Sequence, residues 1–194
     1  MKVIVGLGNP GHTFHDTRHN AGFALIQRLA EQRNVRIEER CLSRLDGRPA
    51  AVYGDYTLKG LTVRLLMPLT MMNESGEALR ELSAELSDVL IACDDVNLPL
   101  GTMRIRPDGG PGGHHGLQSC LGILGTEHIP RLRIGVANGP LPKSLTDFVL
   151  GRFTAEERPV IRGVIEQAAD AVEMWAQEGI EAAMNRYNRQ EAST

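Results

Sequence analysis

The apolar residues of this chain recur at two spacings, one of strands and one of helices. Lys2-Val-Ile-Val-Gly6 is a short β-branched run ending in glycine and predicts a buried strand. A polar stretch from Asn9 to Asn20 follows. Phe23, Ile26, Leu29 and Ala30 then recur at three-to-four spacing and predict a helix over Ala21–Arg33. Ala51–Leu58 and Leu61–Met67 read as two strands turned around Lys59-Gly60. Ser75–Leu86 reads as a helix, and Asp88–Asp94 as a buried strand with an acidic end. Gly101–Arg106 predicts a short strand, Leu117–Leu124 a helix and Arg131–Val136 a further strand. Thr154–Arg189 predicts a mostly helical tail with Val160, Val164, Ala168, Val172 and Trp175 on its apolar face. Strands alternating with helices predict one α/β domain over residues 1–194, a mixed, largely parallel sheet sandwiched by helices.

Composition narrows the class. With 194 residues, 42% of them hydrophobic, the chain can bury a core without staples. No stretch approaches the ~18 apolar residues that span a bilayer. Met1–Gly11 has neither a basic start nor a cleavage site, so cytoplasmic residence without membrane contact is the expectation. Cys41, Cys93 and Cys120 are odd in number and lack CxxC spacing, which argues against a disulfide framework or a zinc site. Aromatics at 4% disfavour a base-stacking module. The net charge of −3 conceals 18 arginines against three lysines. Basic residues thin out across Glu74–Asp95 and return as Arg104, Arg106, Arg131 and Arg133, which leaves room for a local phosphate-binding patch.

In such sheets ligands sit beyond the carboxyl ends of the strands. Polar clusters follow three of the expected strands: Gly6–Asn20, Pro68–Gly76 and Asp94–Asn97. The glycine-rich stretch Gly109–Gly116 is a fourth loop that can close over them. Gly6-Leu-Gly8-Asn-Pro-Gly11 fits GxGxxG, but the next helix opens only near Ala21, too late for its amides to meet a pyrophosphate. His12, His15 and His19 have helical spacing without a carboxylate to complete a metal set, and His12 and His15 read as solvated loop residues. His19 stands at the mouth of the helix, where a neutral imidazole with an acidic partner activates water. Asp94 and Asp95 are the candidate partners. Asp94 equally suits capping a turn with Asn97 and Pro99. Asn73 reads either as a helix cap or as an amide donor to a carbonyl oxygen, and Met71 and Met72 as an apolar wall or as core.

Val5-Gly-Leu-Gly-Asn-Pro-Gly11 with Thr17-Arg-His-Asn-Ala-Gly22 resembles the N-terminal signature of the bacterial peptidyl-tRNA hydrolase family. Met72-Asn-Glu-Ser-Gly76, Asp94-Asp-Val-Asn-Leu-Pro99 and Gly109–Gly116 resemble its later motifs in order, as do Arg131-Leu-Arg-Ile-Gly135 and Phe148-Val-Leu-Gly-Arg-Phe153. The resemblance implies a monomeric, cofactor-free and metal-free hydrolase of the ester between peptide and tRNA. It implies His19 as the catalytic base, Asp94 as the carboxylate orienting it, and Asn9 and Asn73 as groups near the scissile carbonyl. Asn20, Met72 and His114 match residues shaping the peptide cleft. Arg104, Arg106 and Arg133 fall where the family carries basic residues that grip the tRNA acceptor.

Three positions depart from the family pattern. His115 replaces an asparagine that helps hold the peptide backbone, and offers one donor and one acceptor at a different reach. Pro111 stiffens the glycine-rich loop. Phe14, on the tRNA side, stands where a tyrosine is usual. These departures carry an alternative reading, a diverged member that binds structured RNA without hydrolysing it.

Overall fold

The computed structural model describes residues 1–43, 46–80, 82–140 and 142–188. In chain order they form β1 (Lys2–Gly6), α1 (Ala21–Arg33), β2 (Glu39–Leu42), β3 (Pro49–Leu58), β4 (Leu61–Pro68), β5 (Val89–Pro99), β6 (Met103–Arg106) and α2 (His115–Leu124). β7 (Arg131–Ala137), α3 (Leu145–Leu150), α4 (Glu157–Glu178) and α5 (Ile180–Tyr187) follow. Tight 3-10 turns span His12–Phe14, Arg18–Asn20, Met72–Leu79 and Leu86–Asp88.

One seven-stranded sheet runs in the order β2-β3-β4-β1-β5-β7-β6. Its centre, β4-β1-β5-β7, is parallel, while β2, β3 and β6 add antiparallel strands at the two edges. The sheet is buried on both faces because the runs Val3–Val5 and Val89–Cys93 at its centre are apolar at every position. Ile4, Leu90 and Ala92 face the layer of α1, α4 and α5, and Val3, Val5, Ile91 and Cys93 face the layer of α2 and Met72–Leu79. β1 leads into α1 on one face and β4 into Met72–Leu79 on the other, so a crevice opens where the chain diverges at their carboxyl ends.

Gly6 and Gly22, on either side of the first loop, serve packing. A Cβ at Gly22 would strike Leu7 and the Ala92 carbonyl, and one at Gly6 would strike the Gly22 carbonyl. The first turn of α1 therefore lies directly on the ends of β1 and β5. Its Phe23 N–H donates to Leu7 O at 3.2 Å, which ties it to the strand rather than leaving it for a phosphate.

Several elements differ from the pattern reading. The helix expected over Ser75–Leu86 is a 3-10 stretch over Met72–Leu79, and Leu86–Asp88 is a separate turn. Gly76 packs backbone-to-backbone on α2 and donates its N–H to Ser119 Oγ at 3.0 Å, which pulls it out of a regular ladder. Glu81, inside that expected helix, and Arg189, at the end of the expected tail, lie outside the described residues. In the tail Val160 is exposed and Ile161 takes the buried position. β2 is exposed at three of four residues and carries no alternation to read. No helix among the described residues is long and apolar enough to cross a membrane.

Candidate active site

β5 outruns β1. Their pairing ends at Gly6 and Ala92, and Asp94 stands two residues further along β5, 3% exposed, beyond the end of the central strand. The loop after β1 returns over this edge and ends in the three-residue turn Arg18–Asn20. There His19 Nδ1 lies 2.8 Å from Asp94 Oδ1. From the other side the glycine-rich loop delivers His114, the N-cap of α2, whose Nε2 lies 3.0 Å from the same oxygen. The two imidazoles sit 4.8 Å apart between ring centres.

The hydrogen-bond partners set the tautomers. His114 Nδ1 accepts from the Leu117 N–H at 3.1 Å, so the neutral ring carries its proton on Nε2 and donates it to Asp94. An ionised carboxylate only accepts, so His19 donates through Nδ1 and its Nε2 holds a free lone pair. That nitrogen has no partner among the described residues and is not sealed from solvent. Burial by itself would raise the Asp94 carboxyl. The charge and hydrogen bond of His114, then the hydrogen bond and charge of His19, outweigh burial and hold it well below the usual carboxylate range. His19, Asp94 and His114 also offer three metal-ligand atoms within 4.8 Å of one another.

Asparagines form the crevice wall. Asn9 Oδ1 accepts the Met72 N–H at 2.7 Å, which joins the ends of β1 and β4. Asn20 accepts the Asn9 N–H at 2.8 Å and donates to the Asn9 carbonyl at 3.0 Å. Met72 is buried. Asn73 is exposed and makes no capping bond, since Met71 occupies the cap position of that turn. His115, the first residue of α2, is exposed as well. Asp95, rather than Asp94, makes the turn with Asn97, accepting its N–H at 2.8 Å. His12 and His15 stack on each other in the exposed loop and do not join His19. Phe14, half-buried on that loop, accepts the Thr17 hydroxyl with its carbonyl.

The arginines divide by task. Arg104 and Arg106 are exposed on edge strand β6 and make no ion pair among the described residues. Arg133, opposite Arg104, is held by Asp95 at 3.1 Å and by the Gly110 carbonyl at 2.9 Å. Arg131 is buried and donates to the carbonyls of Gly109, Gly110, Glu127 and Ile129, pinning the glycine-rich loop. Sequence reasoning missed Arg18 and Glu157, a buried ion pair at 2.7 Å beside His19. Half of it was readable, because Thr154 and Glu157 have capping-box spacing and exchange the two bonds of that box. A cavity of about 810 Å³ touches the site through Asn9 and Asn20 and otherwise lies between the His12–Thr17 loop, α1 and α4.

Comparison with known proteins agrees with this architecture. The family model described as peptidyl-tRNA hydrolase matches residues 3–194. A peptidyl-tRNA hydrolase of Syntrophomonas wolfei is 45% identical over 97% of this chain and all of its own length. One of Bacillus cereus is 40% identical over the same shares. The crystal structure of peptidyl-tRNA hydrolase from Acinetobacter baumannii superposes with a TM-score of 0.86 at 31% identity, covering 97% of this chain and 94% of that one. With the family model matching nearly the whole chain and these relatives covered end to end at 40–45% identity, the chain belongs to the peptidyl-tRNA hydrolase family.

Proposed function

We propose that this chain, acting as a single domain and a cytoplasmic monomer, hydrolyses the ester between the peptide and the terminal ribose of peptidyl-tRNA. The observation that carries the reading is the 2.8 Å bond from His19 Nδ1 to Asp94, which leaves Nε2 as a base at the open edge of the sheet. Nε2 takes a proton from water as the water oxygen bonds to the ester carbonyl carbon. The tetrahedral oxyanion then expels the ribose oxygen, which recovers the proton from the imidazolium. Asp94 stabilises the imidazolium while it exists. The exposed Asn73 amide and the Asn9 amide are the donors for the carbonyl oxygen or the attacking water. Asn20, Met72, His114 and His115 border the peptide, and Phe14, Arg104, Arg106 and Arg133 face the acceptor end of the tRNA.

The reading is metal-free. His19, Asp94 and His114 already satisfy one another through two hydrogen bonds, and a cation on the same nitrogens would displace both protons. The test is release of free tRNA from an N-blocked aminoacyl-tRNA in excess EDTA. Undiminished turnover supports the reading. Activity lost in EDTA and restored by zinc would overturn its metal-free part. Tight RNA binding with no cleavage in either buffer would make the chain a binding module.

A further inference from the structure

We propose that Arg18, through its buried ion pair with Glu157, is a positioning residue that aims His19 at Asp94. The inference rests on the reading of His19 as the base. Arg18, His19 and Asn20 make one turn of 3-10 helix, in which successive side chains diverge by about 120°. Each has its own partner: Glu157 for Arg18, Asp94 for His19 and the Asn9 backbone for Asn20. Fixing one side chain of so short a turn sets the direction of the other two. The turn has no side-chain cap to hold it otherwise.

Arg18 is the most strongly held of the three. Nη2 bonds Glu157 Oε2 at 2.7 Å and Nη1 donates to the Arg152 carbonyl at 2.9 Å. The guanidinium lies 4.4 Å from the Phe148 ring centre and 5.2 Å from that of Phe153. Its backbone N–H donates to Gly151 O at 3.1 Å, and Thr17 bridges Arg152. Glu157 is fixed in turn by Asn138 Nδ2 at 3.0 Å and by the Thr154 N–H at 2.8 Å. The two side chains are only 9% and 5% exposed, so water neither screens the pair nor replaces a missing partner. Arg18 touches none of the reacting groups. It acts by clamping the turn to the 148–157 segment so that His19 swings toward the end of β5.

The test compares wild type with Arg18→Met, Arg18→Lys, Glu157→Gln and the double variant Arg18→Met/Glu157→Met. Single-turnover rate, KM, thermal midpoint and the downfield proton resonance of His19 Nδ1–H are followed. Arg18→Met should lower kcat by roughly ten- to a hundred-fold, the scale of a displaced catalytic group, with little change in KM. The His19 resonance should shift or broaden while the protein stays folded. Arg18→Lys should recover part of the rate, and the double variant should be no slower than Arg18→Met. If Arg18→Met does not fold, Glu157→Gln, which keeps the shape and an acceptor, should show a smaller loss confined to kcat. Wild-type kcat with an unmoved resonance, or a rise in KM at constant kcat, would overturn the proposal. His19→Ala separates the two levels. If it is inactive while Arg18→Met is not, only the positioning role fails; if it is active, the underlying reading fails.

Discussion

His19 Nδ1 lies 2.8 Å from Asp94 Oδ1, at the point where β5 continues past the end of β1. The bond determines which nitrogen of the ring is a base, and burial of Asp94 beneath two imidazoles keeps its carboxylate from competing partners.

Asp94→Asn therefore tests the tautomer. An amide can present its NH₂ to Nδ1 and stabilise the ring with its proton on the wrong nitrogen. Turnover should fall by about 10³–10⁴-fold, the scale seen when a triad carboxylate becomes an amide. Single-turnover rates at saturating substrate measure it, and a loss of less than about ten-fold would remove Asp94 from the orienting role.

The depressed Asp94 carboxyl has a consequence for stability. Its folded-state pKa lies below its unfolded value. Its contribution is thus complete above the ordinary carboxylate pKa of ~3.9 and is lost as pH falls toward the folded value. Urea unfolding of wild type and Asp94→Asn should show a stability gap at pH 7 that narrows below about pH 4. A gap independent of pH would contradict the assignment. Asp94 stays ionised well below neutral pH, so it keeps its acceptor role there.

Arg104 and Arg106 are exposed and make no ion pair among the described residues, whereas Arg133 braces Asp95 against the Gly110 carbonyl. Arg104→Ala and Arg106→Ala should each raise KM, leave kcat unchanged and reduce the slope of log K against log salt by about 1. Arg133→Ala should also lower kcat, because the loop it braces carries His114. Equal effects at all three positions would remove the distinction.

The strand-helix order was legible because β1, α1, β3, β4 and β7 announce themselves by period and by flanking glycines. The pairing of His19 with Asp94 was legible only as a possibility. Nothing local distinguishes Asp94 from Asp95, and it is strand register that turns one toward His19 and the other toward Asn97 and Arg133. The second donor to Asp94 was less accessible still. His114 matches a cleft residue by resemblance, but its Nδ1 is held by the Leu117 N–H through a helix cap that only the folded loop creates. Arg18 and Glu157 are 139 residues apart and meet through tertiary packing. The pattern over Ser75–Leu86 predicts a helix where a 3-10 stretch over Met72–Leu79 and a separate turn form, because periodicity cannot see the backbone of α2 pressed against Gly76.

That close packing yields a stability prediction. A methyl at Gly22 meets the Leu7 backbone and the Ala92 carbonyl, none of which can swing away as a side chain would. Gly22→Ala should destabilise the fold by about 1–3 kcal/mol, as overpacking does, with an unchanged denaturant slope. A wild-type urea midpoint would show that α1 can lift off the strand ends at no cost.

The most direct test of the central claim is the single-turnover cleavage rate of an N-blocked aminoacyl-tRNA by wild type and His19→Ala, each shown to be folded and to bind the substrate. A variant that binds like wild type and cleaves at least about a thousand-fold more slowly is the predicted result, since both base and proton return are removed. Cleavage within about ten-fold of wild type would mean that another group activates the water.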